Sequence, residues 1–197
     1  MKAILFSLFV ALLMVGCGEP DLDDTETLDE ILAEAIDQND TRKVTEGNHS
    51  LIYYNDKPFS GWVKGNFGRE VSSSFLGQLK NGVPHGLSRF WHENGSRGME
   101  LTFNEENLEG PAKIWYFNDK IRFEGTLKGG PFDSLSLPWL ECKGWKPNGE
   151  RCPVTNVKDG NGVLVNYNED GTESSRDTYK DGECVINESS KHPWLTP

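Results

Sequence analysis

The chain has 197 residues, of which 31 are acidic and 20 basic, giving a formal net charge of -11 at pH 7. Because affinity for nucleic acids comes mainly from Lys and Arg side chains that neutralise phosphates, this balance excludes a surface dedicated to nucleic acids. Hydrophobic residues make up 36% of the chain and aromatic residues 11%, which favours a thin, aromatic-rich core in one domain or one repeat array.

The N-terminal segment is typical of a bacterial export signal. Residues 3–15 form a nearly unbroken apolar run after Lys2, and a helix of that length, at about 1.5 Å per residue, is too short to cross a hydrocarbon core of about 30 Å. The run ends at 13–17 in Leu-Met-Val-Gly-Cys, which resembles a lipobox and implies a lipid on the Cys. We predict a signal peptide at 1–16 and a lipid anchor at Cys17. A signal peptide without lipidation and an uncleaved anchor remain alternatives.

Two short segments separate this signal from the body of the chain. Residues 17–26 are strongly polar, and we expect them to form a flexible tether. Apolar residues then fall at helical spacing, and Thr27 and Glu30 have the spacing of a capping box. This pattern predicts a short amphipathic helix at 27–39 that covers the first open face of the array that follows.

From residue 50 the pattern changes to short aromatic and β-branched runs separated by turn dipeptides. Asn-Gly and Asp-Gly pairs tolerate positive φ at both central positions of a type I′ turn, so they are the strongest local signal for tight hairpins. We predict a hairpin array at 50–186 and a loose tail at 187–197. The dipeptides begin at Asn81, Asn94, Asn148, Asp159, Asn161, Asp170 and Asp181.

Large aromatic residues recur in this region at a nearly constant interval. Four of them lie 24 residues apart and a fifth follows after 28 residues: Phe67, Trp91, Trp115, Trp139 and Tyr167. A single hairpin is marginally stable in water, so we expect these rings to pack against one another in a shared interior. Neighbouring strand residues point to opposite faces, which predicts an outward contact surface at Phe90, Ile114 and Tyr116.

Segments 86–95, 110–119 and 162–171 resemble variant MORN repeats, and residues 57–63 are similar to the opening unit of YwqK-type proteins built from them. The resemblance implies a mainly β fold in which tandem β-hairpin repeats form an elongated antiparallel sheet, with one short N-terminal helix. Such proteins are often labelled toxin-antitoxin antitoxins. Two departures stand out, because Ser134 replaces the leading Gly of one unit and a cysteine-containing insert interrupts the array.

Three cysteines remain after Cys17, and export would place them in an oxidising compartment where disulfides persist. Cys142 and Cys152 are nearest in sequence, so we predict a disulfide between them, although Cys184 makes other pairings possible. A zinc site is disfavoured because the chain has no CxxC motif and no His at ligand spacing from these cysteines. We predict no metal and no cofactor.

The sequence carries no known motif for nucleophilic catalysis or phosphate binding. His85 and His92 occupy repeat positions that hold ordinary residues elsewhere, and we expect surface roles for both. Glu93, Glu100 and Glu124 supply the carboxylates that an envelope glycoside hydrolase would need, which keeps that alternative open.

Together these features predict a protein that is not an enzyme. We expect a lipoprotein of the bacterial cell envelope, at the outer membrane or cell surface rather than in the cytoplasm. It would be bound to the membrane through its lipid and act as a binding or scaffold module for a protein or glycan partner. An antitoxin-like protein that neutralises a toxin by direct binding is the alternative.

Overall fold

The computed structural model describes residues 19–46, 49–66, 74–131 and 136–185. The predicted signal peptide, Cys17, Phe67, Ser134 and the tail at 187–197 lie outside these residues. Within them the protein is mainly β, with one α-helix and one long, largely antiparallel sheet. The predicted fold class is confirmed at this level.

Fifteen strands, one α-helix and one short 3-10 helix account for the described elements. A 3-10 turn at Gln38–Asp40 follows the first strand. The bounds are α1 Thr25–Glu34, β1 Ile36–Asp37, β2 Arg42–Glu46, β3 His49–Tyr54, β4 Lys57–Pro58, β5 Gly61–Asn66, β6 Ser74–Lys80, β7 Val83–Trp91, β8 Arg97–Asn104, β9 Asn107–Trp115, β10 Ile121–Pro131, β11 Trp139–Trp145, β12 Arg151–Lys158, β13 Asn161–Tyr167, β14 Glu173–Lys180 and β15 Glu183–Val185.

The long sheet has twelve strands in the order β1-β5-β6-β7-β8-β9-β10-β11-β12-β13-β14-β15. From β5 onward each strand pairs antiparallel with the next in the sequence, and only β1 is parallel to its neighbour. The predicted array began at residue 50, but β2, β3 and β4 form a separate three-stranded sheet. The two sheets touch where the Ile52 amide donates to the Gly82 carbonyl at 2.8 Å.

The helix begins and ends earlier than predicted. Asp24 is its N-cap, since the Asp24 carboxylate accepts hydrogen bonds from the amide and the hydroxyl of Thr27 at 2.9 and 2.7 Å. The predicted capping box, which placed Thr27 at the cap, is therefore wrong. Asp is at least as good a cap as Thr, and Asp24 stands three residues earlier in the chain.

The register assigns the side chains of the sheet to two faces, because directly paired residues lie on the same face. The inner face carries Phe90, Met99, Ile114 and Phe123, which are paired in that order across four strands. The outer face carries the intervening residues, among them Arg89 and Glu100.

Each face has its own hydrophobic cluster. The interior cluster lies mainly on the inner face of β8 to β14 and consists of Leu101, Phe103, Leu108, Ala112, Ile114, Phe123, Leu127, Leu137, Trp139, Cys142, Val157, Leu164 and Tyr179. The helix cluster lies between α1 and the outer face of β5 to β7. It consists of Leu22, Ala35, Leu76 and Leu87, with Leu28, Ile31, Leu32, Trp62 and Trp91 packed against it.

The sheet curls toward its inner face from β9 to β14. The turn after β9 and the turn after β13 are four strands apart, which is about 19 Å in a flat sheet. Yet the Phe117 amide lies 3.3 Å from a Glu169 carboxylate oxygen. Arg122 on β10 likewise reaches Asn166 on β13, with 3.0 Å between Nη2 and Oδ1. This curl encloses the interior cluster without a second layer of helices.

Candidate interaction surface

Four turns that join strands at one end of the sheet share one hydrogen-bonding pattern, and we name this row of turns the turn rim. In each five-residue turn the first amide donates to the fifth carbonyl at 2.8 or 2.9 Å, and the fourth amide donates to the first carbonyl at 2.9 Å. The third side chain, Asn or Asp, accepts from the fifth amide at 2.8 to 3.1 Å. These contacts define a type I turn followed by a residue of positive φ. The four turns are 92–96, 116–120, 146–150 and 168–172.

The turns of the rim correct the predicted register of the repeat. The aromatic residues that immediately precede the four turns are Trp91, Trp115, Trp145 and Tyr167. Trp139 therefore does not occupy the equivalent position in its unit, although it matches the 24-residue spacing. The insert displaced the true equivalent, Trp145, by six residues, and a search at fixed period misses such a shift.

The first three turns of the rim are bound to one another in succession. The Asn94 side-chain amide donates to the Phe117 carbonyl at 2.8 Å, and the Asn118 amide donates to the Pro147 carbonyl at 2.9 Å. The His92 ring stacks on Phe117 with 4.1 Å between ring centroids. Phe117 nevertheless remains 50% exposed, so the rim holds a large aromatic ring at the surface in a fixed position.

At the opposite ends of the strands lie two-residue turns in which both residues have positive φ, as in type I′ turns. Asn81-Gly82, Asp159-Gly160 and Asp181-Gly182 adopt this turn, as predicted. Asn161-Gly162 lies within β13 instead, and Asn94-Gly95, Asn148-Gly149 and Asp170-Gly171 lie in the turn rim, where only the Gly of each pair has positive φ. Glu105-Glu106 forms a two-residue turn with positive φ at both residues without a sequence signal. The turns also stack, since the Gly182 amide donates to the Gly160 carbonyl at 2.8 Å.

The predicted contact surface at Phe90, Ile114 and Tyr116 is wrong. Ile114 is 4% exposed and Tyr116 1% exposed, and Phe90 packs against the interior cluster. The alternation rule correctly separated these residues from Trp91 and Trp115, but it did not predict that both faces would be covered. The Tyr116 hydroxyl donates to the Trp145 carbonyl at 2.8 Å, which fixes that ring under the rim.

The prediction that the repeat aromatics share one interior is wrong. Trp139 is buried in the interior cluster, whereas Trp91 packs against the helix cluster on the other face. Trp115 is buried with the guanidinium of Arg97 above its ring, 5.1 Å from the centroid. Tyr167 is half-buried.

The predicted disulfide between Cys142 and Cys152 is also wrong, because Cys142, Cys152 and Cys184 are all free. Cys142 pairs with Val157 across the ladder, whereas Cys152 pairs with Gly144, and the register shifts between them. The Cys142 thiol belongs to the interior cluster, where burial raises its pKa. The Cys152 sulfur lies 3.2 Å from the Tyr167 hydroxyl instead.

Of the carboxylates considered for catalysis, Glu93 lies apart from Glu100 and Glu124, which share one face of the sheet two strands from each other. Glu93 lies in a turn of the rim, while Glu100 and Glu124 lie on β8 and β10 with Lys113 paired between them. Among the described residues, no three His, Cys, Asp or Glu side chains are placed to hold a metal ion. In the same part of the chain, no helix is both long and apolar enough to span a bilayer.

Arg89 joins the N-terminal segment to the sheet. Its guanidinium is almost fully buried, and Nη1 donates to the Leu22 carbonyl at 2.6 Å and to the Asp23 carboxylate at 2.8 Å. The same group binds the Glu100 carboxylate through Nε at 2.9 Å and through Nη2. Leu22 is buried as well. The predicted tether at 17–26 is therefore packed on the sheet from residue 22.

The outer face of β8 to β11 carries a line of alternating charges, which we name the charge row. Glu100 pairs with Lys113, Lys113 with Glu124, and Glu124 with Lys143 across consecutive strands. The side chains of Lys113, Glu124 and Lys143 form no hydrogen bond or ion pair with other described residues. Glu124 and Lys143 are exposed and Lys113 is half-buried. No local pattern in the sequence marks this row, because it exists only in the register of the strands.

No protein-family model, curated protein or solved structure matches the chain. A function has to be inferred from its own residues.

Proposed function

We propose that the protein is a non-catalytic lipoprotein of the bacterial envelope, anchored through Cys17, whose β array is a binding or scaffold module for a protein or glycan partner. The turn rim is the observation that carries the binding role. It presents Phe117 half-exposed on a turn that is bound to the turn before it through Asn94 and to the turn after it through Asn118. Rigid exposed aromatic rings are favoured at binding surfaces because little conformational entropy is lost when a partner covers them.

We also propose that the array is built from variant MORN repeats. The support is that four turns have the same five-residue hydrogen-bonding pattern, although their sequences differ. An Asn or Asp side chain at the third position stabilises each of them. Units that repeat both the turn and its contact with the next turn form an extended surface, which is the usual basis of binding by repeat proteins.

The lipid anchor would hold the array close to the membrane. Only four residues, 18–21, separate Cys17 from the buried Leu22. Five residue steps of at most about 3.6 Å give a maximum reach of about 18 Å. The helix cluster would therefore lie within that distance of the lipid-bearing residue, and the turn rim would have a restricted orientation at the surface of the bilayer.

Labelled palmitate incorporation tests the anchor. We expect label in the intact chain and none in Cys17→Ala. The matched control is Cys184→Ala, which removes another thiol and should keep its label. Label that persists in Cys17→Ala would contradict the anchor, and a partner found only in the cytosol would contradict the envelope location.

Crosslinking and recovery from intact cells tests the rim. Phe117→Ala should reduce recovery of the specific partner about tenfold or more, as expected for loss of an aromatic anchor. Leu140→Ala is the control, since Leu140 is an exposed apolar residue outside the four turns. Equal recovery with both variants would show that the rim is not the contact surface.

A further inference from the structure

The charge row has a symmetry that points to its partner. The row continues onto β7 with Arg89, but Arg89 is buried beneath Leu22 and Asp23 and already binds Glu100. Across β8 to β11, beyond that cover, the residues are Glu100, Lys113, Glu124 and Lys143, so that the signs alternate and the two central residues, Lys113 and Glu124, are opposite in sign. Such a row is complementary to its own reversed copy. We propose that the protein forms a symmetric dimer in which the outer face of β8 to β11 packs against the same face of a second copy.

The proposed two-fold axis runs parallel to the strands and passes between β9 and β10. It places β8 opposite β11 of the second copy and β9 opposite β10. Glu100 then faces Lys143 and Lys113 faces Glu124, each twice, so that every contact along the row joins opposite charges. An interface of this kind is isologous and closes after two copies.

The neighbouring row of the same face is compatible with this arrangement. Two residues from Glu124, Thr126 pairs with Pro111 and Glu141, and Thr102 lies beside Pro111 where the register of β8 and β9 shifts. The same axis places Thr102 opposite Glu141 and Pro111 opposite Thr126. No like charges meet in this second row, in which the Thr102 hydroxyl donates to the Pro111 carbonyl of its own chain at 3.1 Å.

The boundaries of the free face support the choice of these four strands. On one side, α1 and Leu22 cover β5 to β7 in the helix cluster. On the other side, the register of β12 shifts between its pairing with Lys143 and its pairing with Gly144. The regular part of the uncovered face therefore centres between β9 and β10, where the axis lies.

The expected dimer is weak and sensitive to salt. Four strands at about 4.8 Å and eight residues at about 3.3 Å give a face of about 500 Å² per copy, hence about 1,000 Å² for both, near the lower limit of specific interfaces. The sheet curls away from the outer face, so the central Lys113 and Glu124 pair would approach most closely. Exposed ion pairs weaken as salt screens them.

Charge reversal at this central pair tests the proposal. The full chain carrying Cys17→Ala is examined by sedimentation velocity in non-ionic detergent at about 20 mM and about 500 mM salt. We expect dimers that dissociate at high salt. Lys113→Glu and Glu124→Lys should each weaken dimerisation at least tenfold, because each places like charges across the axis. Lys180→Glu, an exposed reversal on β14, is the matched control and should not.

Mixing the two single variants separates contact between copies from contact within one copy. Lys113→Glu carries two negative charges at the axis and Glu124→Lys carries two positive charges, so an equimolar mixture should form heterodimers although neither variant dimerises alone. The double variant Lys113→Glu/Glu124→Lys should again form homodimers. A monomeric parent chain, single variants that still dimerise, or a mixture that stays monomeric would each overturn the proposal. None of these outcomes bears on the lipid anchor or the turn rim.

Discussion

The two hydrophobic clusters of the long sheet are closed in different ways. The helix cluster is covered by a separate element, since α1 and Leu22 pack on Leu76 and Leu87. The interior cluster is covered by the sheet itself, because the curl brings β10 toward β13. A single sheet can therefore exclude water from both of its faces in different regions, but only the curled region depends on the register of many successive strands.

Polar groups are buried in both regions, and they do different things. Arg89 on β7 holds the N-terminal segment to β8, because it donates to the Leu22 carbonyl of the segment and to the Glu100 carboxylate of β8. In the curled region Asn166 bridges two strands, accepting from Arg122 at 3.0 Å and donating to Asp177 at 2.8 Å. Burial lowers the pKa of the Arg122 guanidinium. Buried hydrogen bonds of this kind fix one arrangement of the strands.

The largest expected effect is in the interior cluster. Trp139→Ala should lower the free energy of unfolding by about 3 to 5 kcal/mol, because it leaves a cavity where a fully buried ring had been. Urea denaturation followed by circular dichroism measures the change. A loss below about 1 kcal/mol would show that the curled region has no fixed core.

A smaller effect is expected where the N-terminal segment is bound. Arg89→Met should cost about 3 kcal/mol, since the mostly buried Glu100 carboxylate loses its cation. The hydrogen-exchange rate should rise more in α1 than in β10 to β13. The control, Arg176→Met, breaks an exposed pair with Glu173 and should cost less than about 1 kcal/mol. An equal rise of the exchange rate in α1 and in β10 to β13 would show that the two regions do not open separately.

A Gly→Ala substitution should have different effects in the turn rim and in the turns at the opposite ends of the strands. A Cβ at Gly160, where φ is +74°, would lie 2.4 Å from the Gly182 amide nitrogen, whereas a Cβ at Gly171, where φ is +85°, meets nothing within 4 Å. Gly171→Ala should therefore cost about 1 kcal/mol, for backbone strain alone. Gly160→Ala should cost about 2 to 3 kcal/mol by thermal or urea unfolding. Equal losses would show that the two-residue turns opposite the turn rim are not stacked.

The smallest effect is a pH dependence at Tyr116. Burial raises the pKa of this phenol to about 12, above the value of about 10 expected in the unfolded chain. The folded state thus holds the proton more tightly, so this stability is complete below pH 10 and is lost as the pH rises toward 12. Tyr116→Phe should remove about 1 kcal/mol or less of that loss when unfolding is compared at pH 9 and pH 12. If Tyr116→Phe lost as much stability between pH 9 and pH 12 as the parent chain, Tyr116 would not be the source of the pH dependence.

Local signals predicted local structure well. Asn-Gly and Asp-Gly pairs marked the turns, and apolar spacing marked a helix in the correct region, because both depend on backbone preferences within a few residues. The disulfide and the contact surface were wrong for a different reason. Proximity in sequence does not determine which residues oppose each other across β11 and β12, and alternation along a strand does not determine which face is covered.

The sequence by itself determined that the chain forms short antiparallel strands joined by tight turns, since glycine and asparagine at those positions favour the required positive φ. Only the tertiary structure decided that Ile114 is core, that Trp139 and Trp91 belong to different clusters, and that four charges form one row. These facts depend on register and curl, which arise from contacts between residues far apart in the chain.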